Sequence, residues 1–169
     1  NENVMLQLKN HDPAVASVDI FFYPEDGEDY FDATSFNWEE DGRVAISENT
    51  HLKAVYTNKW PHNDETDIAN AKAFCRALSK NRSIKHYDMA GWPLGVEDTF
   101  TILTPFFKHN KNLRSFELHS GLFPKSSQSL MLALEKSKSL RKFSLKCGHI
   151  DDDSAEYVVS ALGAHQNLR

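Results

Sequence analysis

The sequence predicts an α/β solenoid: a right-handed coil with parallel strands along its inner, concave side and helices outside. Three observations carry this prediction. A strand-like phrase returns five times, as Val15-x-x-Val18-x-Ile20, Leu52-x-x-Val55-x-Thr57, Ile84-x-x-Tyr87-x-Met89, Leu113-x-x-Phe116-x-Leu118 and Leu140-x-x-Phe143-x-Leu145. Its starts lie 37, 32, 29 and 27 residues apart, and a sixth copy opens 28 residues later at Leu168. A period of this size marks a repeat architecture. Apolar residues at helical spacing precede each phrase, so each unit reads strand, loop, helix.

Taken in order, residues 1–13 are predicted to be an N-terminal cap, with Val4, Met5, Leu6 and Leu8 forming a helix over the first unit. In each phrase the fourth and sixth positions alternate with polar ones, the period of a half-buried strand. Ile46, Leu78, Phe107, Leu134 and Leu162 stand six residues before successive phrases. Nine or ten before come Phe74 and Cys75, Leu103, Leu130 and Met131, Val158 and Val159; thirteen before come Ala71, Phe100, Ser127 and Ala155. Steps of three and four residues share one face of a helix. Asn49, Asn81 and Asn110 follow the predicted helices, and asparagine tolerates the left-handed backbone that ends many helices. Asn63-Asp64-Glu65, Glu97-Asp98-Thr99 and Asp151-Asp152-Asp153-Ser154 supply acceptors and negative charge at helix starts. Tyr23-Pro24, Trp60-Pro61 and Trp92-Pro93 recur at the ninth position of three units, with Gly121 and Gly148 there in the later two. Proline lacks an N–H and ends strand pairing, and the ring beside it is expected to cover the loop layer.

On these phrases the chain resembles the leucine-rich repeat family, in its ribonuclease-inhibitor-like class. The resemblance covers residues 11–169 and is densest from Leu113 to Arg169. It implies a horseshoe whose partners dock on the concave strand face. The family's position-nine Asn or Cys is here aromatic or Gly. One strand–helix unit cannot bury its apolar side alone, so stacking supplies the core. The 169 residues are expected to form one solenoid domain, monomeric, with the array continuing past Leu168.

Composition excludes several classes. The net charge of −5 is divided unevenly, with seven basic and 15 acidic side chains in residues 1–80, against 12 and 9 in residues 81–169. This is not a nucleic-acid footprint, which needs a strongly basic domain. No apolar run reaches the roughly 20 residues of a membrane span. Cys75 and Cys147 are the only cysteines, too few for a disulfide framework or a zinc set. Both are expected to be reduced, which points to a cytoplasmic or other intracellular setting.

The outward strand positions are Ser17, Asp19 and Phe21; Ala54, Tyr56 and Asn58; His86, Asp88 and Ala90; Ser115, Glu117 and His119; and Lys142, Ser144 and Lys146. Among them Asp19, Phe21, Tyr56, Asn58, His86, Asp88, Glu117, His119, Lys142 and Lys146 are the predicted partner-binding residues, with Phe21 and Tyr56 as amphipathic anchors. A basic column of Lys53, Lys85, Arg114, Arg141 and Arg169 precedes the strands; it reads as a solvated edge or as a contact for an anionic partner. Residues 25–41 insert eight acids with no Lys or Arg into the first unit, interleaved with Tyr30, Phe31, Phe36 and Trp38. That insertion either covers the first unit with its aromatics or grips a basic partner segment.

No Gly-rich phosphate loop, nucleophile elbow or His-Glu-x-x-His run is present. His119, His149 and Asp151–Asp153 are the nearest metal-like set, but the repeat alignment scatters them and the aspartates suit helix capping. The expectation is therefore a non-enzymatic protein-interaction module without cofactor, binding an unnamed protein on its concave face. The alternative is a regulator of a single enzyme, acting like a GTPase activator or an inhibitor.

Overall fold

The computed structural model describes residues 2–21, 36–58, 65–90, 99–119, 124–146 and 150–168. Its elements run α1 (Glu2–Lys9), β1 (Ser17–Phe21), one turn of π-helix (Arg43–Ser47), β2 (Ala54–Asn58), α2 (Glu65–Lys80), β3 (His86–Ala90), α3 (Thr99–His109), β4 (Ser115–His119), α4 (Pro124–Glu135), β5 (Lys142–Lys146) and α5 (Asp152–Ala164). The five strands form one parallel sheet in the order β1-β2-β3-β4-β5. Helices α2 to α5 pack each on the next, and the π-turn stands between α1 and α2. The coarse architecture is thus the expected α/β solenoid with leucine-rich-repeat-like units.

The strands pair in the register that the phrases predict, with Val18, Val55, Tyr87, Phe116 and Phe143 in one column and Ile20, Thr57, Met89, Leu118 and Leu145 in the next. Alternation sends both columns inward, and all are buried except the β5 pair Phe143 and Leu145, which are half-buried on the edge strand. Rings continue the stack: Tyr87 lies 5.6 Å from Phe116, and Phe116 lies 5.8 Å from Phe143 and 5.1 Å from Phe107. Burying such side chains contributes about 1.5–3 kcal/mol each.

Two parts of the predicted helical face differ. Leu6 is 55% exposed, because the helix turns Met5 and Leu8, three residues apart, to the core, with Val4 packed partly against it. Val159 and Leu162 are 70% and 37% exposed, because among the described residues α5 has a helical neighbour, α4, on one side only.

The asparagines end the helices by a different mechanism from the one expected. Among the described residues only His11 is a non-glycine with positive φ, at 55°, so Asn49, Asn81 and Asn110 are not left-handed. They are buried instead. Each Oδ1 accepts two backbone N–H groups ahead of its own strand: His51 and Leu52 for Asn49, Ser83 and Ile84 for Asn81, Asn112 and Leu113 for Asn110. Each Nδ2 donates backward into the previous unit, to the carbonyls of Leu8, of Ile46 and Asn49, and of Ile84 respectively. The column satisfies buried backbone groups that a loop would otherwise leave orphaned. In the next unit the position is Ser137, and in the last it is His165, whose Nε2 lies 2.9 Å from the Ser137 carbonyl.

The left-handed ending occurs at α1. His11 N–H donates to the Leu8 carbonyl and Asp12 N–H to that of Gln7, the paired pattern of a Schellman cap. At the far end Asp151 caps α5 as expected, accepting from Ser154 N–H at 2.7 Å. The other predicted helix starts at 63–64 and 97–98, and all the aromatic–proline pairs, lie outside the described residues.

Candidate functional site

The sheet face turned away from the helices is built by odd positions of the five phrases. Its middle column is Asp19, Tyr56, Asp88, Glu117 and Ser144, matched residue for residue across the ladder. One flanking column is Ser17, Ala54, His86, Ser115 and Lys142. The other brings together Ala90, His119 and Lys146, with Asn58 on β2 beside Phe21. The register therefore gathers the candidate residues as the sequence columns implied. Ala54 is the exception, being buried. The side-chain surroundings of Phe21 lie outside what is described.

Charges on this face are organised around Glu117. Lys142 donates to its Oε1 at 2.8 Å, and Lys146 Nζ lies 3.3 Å from its Oε2. The Lys142 hydrogen bond, helped by Lys146, holds the Glu117 carboxyl down at about 2. One strand away the Asp88 carboxyl is pushed up, first by burial and then by the nearby carboxylates of Glu117 and Asp19, against the opposing pull of His119. His119 Nε2 sits 3.5 Å from Asp88 Oδ1 and 3.7 Å from Glu117 Oε2. His86 Nδ1 is 2.9 Å from Ser115 Oγ. Tyr56, 42% exposed, and His86 border a cleft of about 420 Å³ that also takes in Asp88, Glu117, Lys142 and the guanidinium-bearing Arg114 and Arg141.

The metal-like set of the sequence does not assemble. Asp151 is a helix cap, and His149 lies outside the described residues. His119 instead approaches Asp88 and Glu117, with one ligand atom from each within 4.8 Å of the others. Both Glu117 oxygens already meet an ammonium group, so a cation there would compete with Lys142 and Lys146. Sequence columns alone missed the Asp88–His119 approach, which is diagonal across β3 and β4.

The described end of the acidic insertion serves the fold. Trp38 is buried between Phe36 and Phe74, with ring centroids 4.6 and 5.0 Å away. Glu39 pairs with Arg76 and Asp41 with Lys9, so these acids meet cations of α2 and α1. Residues 25–35 lie outside the described residues.

Two solved structures share this fold. A structure titled leiomodin-1 actin-binding site 2 matches with a TM-score of 0.59 and 14% identity, over 97% of this chain and 88% of that one. The tropomodulin C-terminal domain of Caenorhabditis elegans matches with a TM-score of 0.51 and 13% identity, over 97% and 92%. No family model and no curated protein matches the chain. These likenesses correct the ribonuclease-inhibitor-like assignment: the structures that the chain is similar to are leiomodin and tropomodulin domains, leucine-rich-repeat-like but distinct. The buried asparagine column of this chain stands ahead of the strands, at the helix ends.

Proposed function

We propose that this chain is a non-catalytic protein-interaction module that docks a partner protein on its exposed strand face, the inner side of a right-handed coil. The observation that carries the proposal is an exposed aromatic, Tyr56, at the mouth of a cleft whose walls alternate in charge. Aromatic anchors beside charged groups are the common composition of a docking centre. Pairing Glu117 with two lysines pins that charge pattern in place and favours shape-specific recognition over chemistry. The module works as one monomeric domain, without cofactor.

Fold likeness to a structure named for actin binding makes actin the first partner to try. The test is co-sedimentation with filamentous actin and gel filtration with monomeric actin. The wild type is compared with a folded Tyr56→Ala/His86→Ala/Glu117→Lys variant. Binding that the variant loses supports a strand-face site for actin. Binding that both retain sinks the strand-face assignment, and binding by neither removes actin as the partner.

A further inference from the structure

A second surface, at the edge where the chain enters the strands, has the opposite character. A groove of about 740 Å³ runs between the C-terminal ends of α3 and α4, lined by Lys108, Lys111, Arg114, Lys136, Lys138 and Arg141. Glu135 is the only acid that lines it among the described residues. None of the six cations forms an ion pair with a described residue. Lys9, Arg43, Arg76, Lys142 and Lys146 do, whereas Lys53, Lys80, Arg82 and Lys85 share the lack among the described residues.

Backbone bonding fixes this crowding. Arg114 N–H donates to the Lys85 carbonyl at 2.7 Å and Arg141 N–H to that of Arg114 at 2.9 Å, so successive cations stack at strand spacing. Like charges on adjacent strands repel. The two guanidinium groups are also steadied by carbonyls: Arg114 Nη1 meets Ser139 O at 3.0 Å, and Arg141 Nη1 meets Leu140 O at 3.2 Å. A guanidinium has five N–H donors, so each keeps donors for a carboxylate in a geometry already set. The ends of the two helix dipoles ease the repulsion in part, and an anionic occupant would remove it.

We infer that this groove docks a short Asp- or Glu-rich segment of a protein partner. Charge selects the class. A long polyanion such as RNA would extend past the groove into a chain of net charge −5, whose first 80 residues carry 15 acids against seven bases. A short acidic segment stays within the basic walls. This surface is separate from the strand face, although Arg114 and Arg141 border both clefts. None of the four lysines borders the strand-face cleft, although Lys138 also lines a neighbouring cleft beside His165, so substituting them tests the groove apart from the strand face.

The test titrates the full chain into a fluorescein-labelled peptide of eight glutamates at low salt and follows anisotropy. Saturable binding is expected, weakened about tenfold by Lys111→Glu/Lys138→Glu and weakening with added salt. Lys108→Ser/Lys136→Ser, which only neutralises, should weaken it as well. Tyr56→Ala/His86→Ala should leave it unchanged, which separates this surface from the strand-face proposal. Lys53→Glu/Lys80→Glu, the same charge change outside the groove, should have little effect. An equal loss from that control would make the binding a matter of net charge and overturn the inference. So would absence of binding, or tighter binding of an eight-nucleotide single-stranded RNA.

Discussion

Asp88 and Glu117 are register partners on neighbouring strands, and their carboxyls are displaced in opposite directions. The difference lies in what each one meets. Glu117 receives two ammonium groups from β5, at 2.8 and 3.3 Å, while Asp88 meets His119 at 3.5 Å and loses solvent. Two acids in one column can therefore coexist because one is held charged by lysines and the other is eased toward its neutral form. Opposite displacements give opposite pH signatures.

Glu117 titrates lower in the fold than its ordinary 4.5, at about 2. Its contribution to stability is thus present above the ordinary value and disappears as pH falls toward 2. Lys142 and Lys146 are mostly exposed, at 62% and 60%, so solvent screens the pairs and the gain is about 1 kcal/mol or less. Glu117→Gln should melt below wild type at pH 7 by that amount. Melts repeated toward pH 2 should converge, and a gap that persists there would contradict the assignment.

Asp88 runs the other way. Its folded carboxyl titrates above its ordinary 3.8, so the fold is favoured while the group is protonated and loses that advantage as pH rises through the folded value. Asp88→Asn should therefore be at least as stable as wild type at pH 7, with the advantage shrinking as pH falls through the folded value and gone below 3.8. Denaturant titrations at several pH values check this. A variant less stable than wild type at pH 7 would mean that the His119 contact outweighs burial.

How far the sequence reached can be judged from these same residues. Period-2 phrases marked Ile20, Tyr87 and Leu118 as inward because alternation is a property of the chain itself. The matching columns Asp88–Glu117 and His119–Lys146 followed once the phrases were aligned. What sequence missed depends on neighbours. Asn81 was visible at a helix end, but not the Ile46 and Asn49 carbonyls that it reaches in the unit before. Glu39 and Asp41 looked free for a partner until α1 and α2 placed Lys9 and Arg76 beside them. The family class was misread because the strand phrase is common to leucine-rich-repeat-like folds and does not separate one class from another. Nothing in the pattern singled out His11.

His11 adopts the left-handed backbone at φ 55° to close the Schellman cap of α1. A side chain with a Cβ carries roughly 1–2 kcal/mol of strain there, which glycine relieves at some cost in unfolded-state entropy. His11→Gly should thus raise stability by about 0.5–1 kcal/mol. His11→Val, β-branched and still more strained, should lower it. Chemical denaturation of the pair provides the comparison, and equal loss from both would show that the His11 side chain stabilises the fold more than the backbone strain opposes it.

The asparagine column gives the largest effect and a ranking. Asn81 donates to two carbonyls of the preceding unit, at 2.6 and 2.9 Å, and accepts from Ser83 and Ile84 N–H at 2.7 and 3.0 Å. Asn110 accepts similarly but donates to one carbonyl, that of Ile84. Each buried partner left unsatisfied costs roughly 1–3 kcal/mol, with water entering the vacancy recovering part of it. Asn81→Ala should therefore cost about 3 kcal/mol or more, and Asn110→Ala less. Asn81→Asp separates the two halves of the role: it keeps the acceptor for the loop but replaces the donor with a buried charge facing two carbonyls. It should be at least as damaging as alanine. If Asn81→Asp were tolerated while Asn81→Ala was not, the loop-closing acceptor alone would carry the stability, and the link between units would have to come from the helix and sheet contacts.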